Sequence, residues 1–400
     1  MLYQSALYLP FLAVSLALYW GFASTPRRRS RFLATASLAF FLALGLERYS
    51  LETTLFHLTS LCIAAVVVFY CGAKLRRRPG GPLLYAAMAF ALAPLVAYKY
   101  LPLSGAADST LAWVVPLGIS YFTFKHIHFL IESSRGNFAA VGLDDYFAYI
   151  TFFPMFGAGP IERLHNFAPQ LASRHWQAGD FALGVERMVI GAIKKFVVAD
   201  LLLAPFLPPA DLPLESFLAQ PWPVVVLACV VRFLHTYADF SGYTDMALGT
   251  ARLFGLRLME NFAYPLLRSN LAEFWRAWHI SLSSFVRDYV YFPVLGRWRR
   301  PTLALLLTMV LIGLWHAGNP GWALWGLHHG CGLVFVAHFQ RLAPRYAVLQ
   351  AWRAGLPWRL FSTALTWFYV SLGYALTFRP ASLESSLAPY GRILAPGFWP

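Results

Sequence analysis

The stretch Glu273-Phe-Trp-Arg276-Ala-Trp278-His279-Ile-Ser281-Leu-Ser283-Ser284-Phe-Val-Arg287-Asp288-Tyr289 decides how this chain is read. It runs on through Tyr291-Phe-Pro293 and a basic turn, Arg297-Trp-Arg299-Arg300-Pro301, into an apolar run that closes on Gly313-Leu-Trp315-His316-Ala-Gly318. Two histidines thus stand 37 positions apart (316 minus 279), each directly after a tryptophan. One sits in a polar-aromatic amphipathic segment, the other near the far end of a hydrophobic one. If the run is helical from Thr302, His316 lies roughly 21 Å along it at about 1.5 Å per residue. That is past the middle of a hydrocarbon core about 30 Å thick. An ionisable residue at such depth costs a few kcal/mol and is by default a functional one. The remainder of the chain reads as scaffold around this pair.

Working outward, the 400 residues are 58% hydrophobic, 17% aromatic and only 12% charged, with a mean hydropathy of +0.55. Soluble domains carry roughly 25% charged residues. Several apolar runs are long enough to cross a bilayer, and lipid demands an internally satisfied backbone. The fold class is therefore an all-α polytopic membrane protein; nothing alternates as the strands of a membrane barrel do. The net charge of +14 sits in short loops at the ends of apolar runs, which suits anionic headgroups and orientation signals, not nucleic acid. The four cysteines, Cys62, Cys71, Cys229 and Cys331, lie scattered in apolar runs without CxxC spacing, so neither a disulfide framework nor zinc is implied.

Spans are expected at about Leu2 to Phe22, Phe32 to Leu46, Thr54 to Cys71 and Leu83 to Tyr98, with basic loops at Arg27-Arg28-Arg29-Ser30-Arg31 and Lys74-Leu-Arg76-Arg77-Arg78. The loops after the second and fourth spans, the latter with Asp108, are not basic, which places the N-terminus outside the cytoplasm. The first run lacks the basic start and cleavage site of a removable signal. A fifth span, about Leu111 to Ile131, carries Lys125, His126 and His128, read as a helix end snorkelling to the interface. Asp144 to Arg163 is apolar but broken by Pro154, Gly157, Gly159 and Pro160, so a re-entrant or kinked helix buried in protein is expected.

A polar, interfacial patch covers His165 to Asp180. Further spans are expected at about Phe181 to Phe206 and Val224 to Leu248, the latter with His235 and Asp239 on one helical face. Phe254 to Pro265 reads as a surface helix and turn, Trp322 to His338 as a further apolar helix, and Leu360 to Phe378 as the final span before a polar tail. About ten or eleven membrane-embedded segments result, some incomplete. One integral membrane domain covers 1–400, with N-terminal helices over 1–143, a motif-bearing core over 144–338, and a C-terminal helix and tail over 339–400. No internal repeat is visible, which weighs against an inverted-repeat carrier.

The chain has no GxSxG, P-loop, HExxH or Asp-rich metal box. What recurs is histidine inside apolar or amphipathic helix. A neutral imidazole near a hydroxyl removes its proton and later returns one, work typically contributing about 10²–10⁴ in rate. That suits acyl transfer from a thioester to an alcohol in a place that excludes water. Bland readings stand beside this one. A membrane histidine is often a helix–helix hydrogen-bond partner, and His328 and His329 are either such packing residues or partners that orient His316. Glu273 and Arg276, three apart, are explained by an i,i+3 ion pair, and Arg287-Asp288 by an interfacial pair. A metal site of His316, His328 and His329 is the minor alternative. A permease or flippase with a histidine-lined proton path is the rival from another class.

At these residues the sequence resembles the membrane-bound O-acyltransferase family, in the bacterial branch of alginate O-acetylation and teichoic-acid D-alanyl transfer. Three blocks carry the likeness. The first is Phe152-Phe-Pro154 to Gly159-Pro160-Ile161 with Pro169-Gln170-Leu171. The second runs from Asp239-Phe-Ser-Gly-Tyr243-Thr-Asp245 through Asn261-Phe-Ala-Tyr264-Pro265 to Phe274-Trp-Arg-Ala-Trp278-His279-Ile-Ser281 and Arg287-Asp288-Tyr289. The third is Leu314-Trp315-His316 with Trp325-Gly326-Leu-His-His-Gly330. The resemblance implies a ring of helices around a central tunnel, with His316 as catalytic histidine and His279 as second functional histidine. It implies, further, that Asp245, Tyr243, Trp315, Trp278, Arg287, Asp288 and Ser281 line the tunnel or the substrate. It implies no bound cofactor or metal. The donor is expected to be acetyl-CoA or an acyl carrier protein thioester on the cytoplasmic side of a bacterial inner membrane. The acceptor is expected to be an extracytoplasmic polysaccharide, reached directly or through a periplasmic acetyltransferase partner. Two departures stand out: Ala317 replaces the glycine usual after the catalytic histidine, and the chain ends soon after Thr377-Phe-Arg379-Pro380, where longer members continue.

Overall fold

A computed structural model describes residues 2–100, 116, 118–138, 141–173, 176–209, 211–346, 355–378 and 382–395. Asp108, the start of the fifth expected span, His175, Arg379-Pro380 and the last five residues of the tail lie outside the described residues. Within them the chain is helical, with a single isolated antiparallel bridge between Phe262 and Trp278 and no strand. Among the described residues four helices are long and apolar enough to cross a membrane, Pro26–Leu46, Leu51–Arg77, Pro82–Lys99 and Trp222–Leu253; Tyr8–Phe22 and Pro301–His316 are shorter apolar helices. Large apolar side chains such as Phe22, Ile63, Tyr70 and Tyr85 stand exposed along these helices, as lipid-facing surfaces do. The all-α polytopic fold class follows. The chain forms two compact units, Met1–Ala192 with Gly242–Met259, and Ile193–Ser241 with Glu260–Pro400.

The first unit begins with α1 (Tyr8–Phe22), α2 (Pro26–Leu46), α3 (Leu51–Arg77) and α4 (Pro82–Lys99). The basic runs read as loops are largely helix. Thr25 accepts from Arg28 N and Pro26 fills the first position of α2, so the helix starts ahead of its arginines. At the other end, Lys74, Arg76 and Arg77 continue α3 past its apolar part and complement the dipole of its last turn. Arg29 is buried and donates to Ala23 O, Ser24 O, Leu171 O and Ala172 O.

Next come α5 (Ile119–Ser134), α6 (Leu143–Thr151), α7 (Leu164–Ala172) and α8 (Ala178–Ala192), the last running on as a π-helix over Ile193–Leu203 in the second unit. The expected broken segment is present: α6 stops at Phe152, a 3₁₀ turn follows over Phe153–Met155, and 156–163 has no helix. Tyr146, Tyr149 and Phe152 on it are fully buried, so the irregular backbone lies within protein. Lys125, His126 and His128 do not snorkel; each is at most 2% exposed. Lys125 Nζ donates to Tyr149 O (2.9 Å) and Ile150 O (3.3 Å), carbonyls that the end of α6 leaves without a helical partner. His128 Nε2 accepts from Leu164 N, and His126 Nδ1 pairs with the Tyr146 hydroxyl. Glu162, outside any helix, accepts from Arg163 N, Asn166 Nδ2 and Met259 N. Burial pushes its carboxyl up, and those hydrogen bonds with Lys125 pull back.

The second unit adds α9 (Leu214–Leu218) and α10 (Trp222–Leu253), whose final residues belong to the first unit. Lys195 on the π-helix is ion-paired with Asp200 (2.8 Å) and with Asp239. The expected helix over Phe254 to Pro265 is absent: Gly255 turns left-handed, and 256–260 has no helix. Then follow α11 (Leu271–Ala277), α12 (Ile280–Val286) continuing as a π turn over Arg287–Tyr291, α13 (Phe292–Trp298), α14 (Pro301–His316), α15 (Pro320–Leu342) and α16 (Leu356–Ala375). The polar tail holds one more helix, α17 (Leu383–Leu394), opened by a Ser382–Ser385 capping box. Trp222 Nε1 donates to Ile393 O, and Phe217 stacks on Phe378 at 3.9 Å, which closes an apolar cluster at this end of the unit.

Candidate active site

The histidines sit on two local structures of the second unit. The first is the antiparallel pair α14 and α15. A Cβ at Gly313 would meet Trp322 O at 2.0 Å, and one at Gly326 would meet Met309 O at 2.3 Å. The backbones therefore touch, as small residues allow in membrane helix pairs. This contact lays Trp322 and Trp325 of α15 against the last turn of α14: the His316 ring stacks on Trp322 (centroids 4.8 Å) and stands edge-on to Trp325 (5.5 Å). Asn319 accepts from Trp322 N and caps α15 behind Pro320 at its first position. Ala317 is extended at φ −156°, a conformation open to any residue, so alanine in place of the usual glycine puts no strain beside His316.

The second structure holds His279. α11 and α12 are both short, and neither spans; the chain breaks between them at His279, whose φ of 44° and ψ of 52° are left-handed. For a non-glycine residue that conformation is uncommon and marks a constrained position. The short strip 261–263 imposes it: Ile280 N donates to Asn261 O and Ala263 N to Ala277 O, around the Phe262–Trp278 bridge. The Asn261 carboxamide completes the clamp. Its Oδ1 accepts from Ser281 Oγ (2.5 Å) and Ser281 N (3.3 Å) and faces His279 Nδ1 at 3.4 Å. With Nδ1–H directed to this acceptor, the Nε2 lone pair of His279 remains for chemistry. Burial first, and the neighbouring His316 second, push the pKa of His279 down, so its imidazole is neutral at pH 7.

Trp315 packs against both imidazoles. Its ring centroid is 6.3 Å from that of His279 and 4.7 Å from that of His316, so the imidazole centroids are at most about 11 Å apart, the sum of the two legs. Phe240 meets His279 edge-on at 4.6 Å, and Trp278 stacks on Phe274. A cavity of about 480 Å³ lies beside this place, with neither imidazole on its wall. It is lined by Ile280, next to His279, and by Ile312, one helical turn before His316. Arg276 and Arg287 line it as well, together with Trp275 and Thr308.

The structure thus gathers His279, His316, Trp315, Trp278 and Ser281 in one neighbourhood, with Arg287 on the cavity beside it. Asp288 pairs with Arg287 at 2.9 Å. Tyr243 and Asp245 belong to the first unit: the Tyr243 hydroxyl packs where a Gly157 Cβ would come within 2.3 Å, and Asp245 pairs with Arg187 at 3.0 Å. Glu273 accepts from Ser269 Oγ at 3.3 Å. His328 is a packing residue. Its Nε2 donates to Tyr369 O at 2.9 Å, which leaves Nδ1 to accept from the Tyr390 hydroxyl at 3.1 Å, while its ring stacks on Tyr369 at 3.9 Å. Among the described residues no group of His, Cys, Asp or Glu is placed to hold a metal ion. Sequence reasoning did not single out Asn261, Trp322 or Trp325. All three lie beside the histidines only because the chain folds back, although Asn261 and Trp325 stand inside the motif blocks.

The chain is similar to known proteins over most of its length. The profile of MBOAT, the membrane-bound O-acyltransferase family, matches residues 52–378. The chain belongs to that family and is a multi-pass membrane protein. It is 35% identical over 298 residues to a probable alginate O-acetylase of Pseudomonas fluorescens, covering 72% of this chain and 55% of the relative. It is 28% identical over 309 residues to a peptidoglycan O-acetyltransferase of Helicobacter pylori, covering 70% and 56%. With a teichoic acid D-alanyltransferase of Bacillus subtilis it shares 27% over 277 residues, covering 64% and 67%. The chain spans about half the length of the alginate relatives it matches.

Proposed function

We propose that this protein is an O-acyltransferase of a bacterial inner membrane. It moves an acetyl or other short acyl group from a cytoplasmic thioester, acetyl-CoA, to a hydroxyl of an extracytoplasmic polysaccharide, directly or through a periplasmic acetyltransferase partner. The observation that carries this reading is the pair of imidazoles at most about 11 Å apart, both packed on Trp315, beside a cavity with two arginines on its wall. The similarity to alginate and peptidoglycan O-acetylating relatives supports the acetyl group and the saccharide acceptor.

In the step we assign, the acceptor hydroxyl gives its proton to the His316 imidazole as its oxygen bonds to the thioester carbonyl carbon. The tetrahedral oxyanion then collapses, the C–S bond breaks, and the departing thiolate takes the proton back from the imidazolium. His279, neutral with its proton on Nδ1, presents its Nε2 lone pair to the acceptor hydroxyl and orders it; it polarises the thioester carbonyl only once Nε2 is also protonated. The cavity arginines suit the phosphates of a CoA or of a phosphopantetheine arm, as planar donors to phosphate oxygens. The basic residues where α1 meets α2 and where α3 meets α4 support an N-terminus outside the cytoplasm.

The test is transfer of labelled acetyl from acetyl-CoA by the purified full chain in liposomes with oligosaccharide acceptor. His316→Ala is expected to lower the rate by about 10²–10⁴ with the helical content retained; a wild-type rate would remove the assignment. A second reading, D-alanyl transfer from a carrier protein, is favoured by the teichoic-acid relative. Offering loaded carrier in parallel separates the two. Proton-coupled uptake without acylated product would replace both with a transporter.

A further inference from the structure

One buried pair of donors in the second unit is not used by the step above. Trp275 Nε1 lies 3.4 Å from His329 Nδ1, and an indole nitrogen only donates. His329 Nδ1 is therefore the acceptor, and the neutral ring carries its proton on Nε2. That Nε2–H is buried, on a residue 1% exposed, and has no hydrogen-bond partner among the described residues. The same holds for Nε1–H of Trp325, on a residue 5% exposed. Both donors border one spot. A Cβ built on Gly373 of α16 would lie 3.2 Å from His329 Nε2, 3.2 Å from His328 Cδ2 and 3.3 Å from Trp325 Cδ1, the atom bonded to Nε1. Glycine at 373 keeps a methyl group out of that spot. A buried N–H without an acceptor costs about 1–3 kcal/mol, and two such donors on rings whose centroids are 4.5 Å apart call for an oxygen. Trp325 also stands edge-on to His316, so this spot adjoins the histidine pair.

We infer that His329 Nε2–H and Trp325 Nε1–H form a binding site for a single hydrogen-bond-accepting oxygen beside Gly373. Two sources supply that chemistry: a buried water, or the carbonyl oxygen of the acyl thioester. In the second case the pair stabilises the charge that develops on that oxygen during transfer, and this arm alone rests on the acyltransferase reading. The carbonyl needs two donors there and gains them without reorganisation.

The test follows the indole N–H resonances of ¹⁵N-tryptophan-labelled full chain in detergent, with Trp325→Phe identifying the Trp325 signal. The probes are CoA and a thioester analogue in which a methylene replaces sulfur and the carbonyl remains. A water is indicated by a hydrogen-bonded N–H shift without probe, moved by Gly373→Ala and not by the analogue. The acyl carbonyl is indicated by a shift that the analogue produces and CoA does not. In that case Trp325→Phe lowers kcat about 10²-fold while KM holds. His329→Asn, which keeps an acceptor for Trp275 but loses the Nε2 donor, follows the same pattern. A Trp325 signal in the unbonded range that neither the analogue nor Gly373→Ala moves would overturn the site. Failure of the analogue to bind, with the signal still sensitive to Gly373→Ala, overturns the acyl arm and leaves the water.

Discussion

Each compact unit buries a set of ionisable side chains in an apolar chain, and the two sets end differently. In the first unit Lys125, His128 and Glu162 spend their hydrogen bonds chiefly on main-chain groups: the carbonyls that α6 loses at its break, and the amides of 163, 164 and 259. In the second unit the network runs from side chain to side chain, His279 to Asn261 to Ser281 and Trp275 to His329, and it leaves ring nitrogens available. A side chain committed to backbone cannot trade its proton without undoing the fold. One held by another side chain at a single nitrogen has a second nitrogen to use. Burial alone therefore does not identify a site; the partner's identity does.

The comparison breaks most readily at Lys125. Lys125→Met removes the charge-assisted donor to Tyr149 O and Ile150 O and leaves both carbonyls buried. Each such bond contributes about 1.5–3 kcal/mol, so a loss on the order of 3 kcal/mol is expected in thermal unfolding, with reduced yield of folded protein. Transfer per folded molecule should stay within about threefold of wild type, since no proton of Lys125 enters the reaction. A rate collapse in a variant that melts normally would give the first unit's cluster a chemical part.

Asn261 sharpens the other side. Asn261→Ala frees His279 Nδ1 and loosens the left-handed turn, and about a tenfold loss in kcat is expected, about 1.4 kcal/mol. Asn261→Asp keeps the acceptor but sets a carboxylate beside the imidazole, which favours its charged form. The wild-type His279 pKa is depressed, so activity falls only in acid, below the ordinary value of 6.5. In Asn261→Asp the acid limb of the pH–rate profile should move to higher pH. A purely structural role for Asn261 would lower the rate without moving that limb.

Much of this was legible beforehand because lipid restricts the options. Apolar length gave the four helices long enough to cross, Pro154 and the glycines gave the broken segment, and the tryptophan-histidine pairs pointed to the two imidazoles that the fold brings near one tryptophan. Composition misplaced helix ends, since arginine and lysine are good helix formers and a capped start at Thr25 carries them into the first turn. It also misread Lys125, because snorkelling and carbonyl capping both begin from a basic residue in an apolar run. Only the fold shows which carbonyls stand opposite. Asn261 was visible as a motif letter, but its grip on His279 needs the reversal that brings 261–263 alongside 277–280. Tyr243 and Asp245, expected by their motif to line the site, lie in the first unit, where Tyr243 packs on Tyr3 and Asp245 pairs with Arg187.

The smallest effect is expected where ionic contacts meet water, and it supplies the baseline for the two buried clusters. Asp144, in the first turn of α6, pairs with Arg27 at 2.9 Å and Arg31 at 3.0 Å, both arginines being more than half exposed. Partial burial works against the charge, but the two arginines outweigh it and hold the carboxyl below its ordinary 3.8. A depressed acid contributes stability that is present above the unfolded value and disappears as pH falls through the folded one. Solvent screening limits that contribution to at most about 1 kcal/mol. Asp144→Asn should therefore lower the melting temperature slightly at pH 7, and the gap from wild type should close as the pH falls below about 3.8. High salt should narrow it as well, since exposed charges are screened within about 10 Å at 0.1 M. If the gap instead persisted in acid and in salt, Asp144 would act as Lys125 does, through geometry and not through charge at the surface. The line between committed and uncommitted ionisable groups would then have to be drawn inside the first unit.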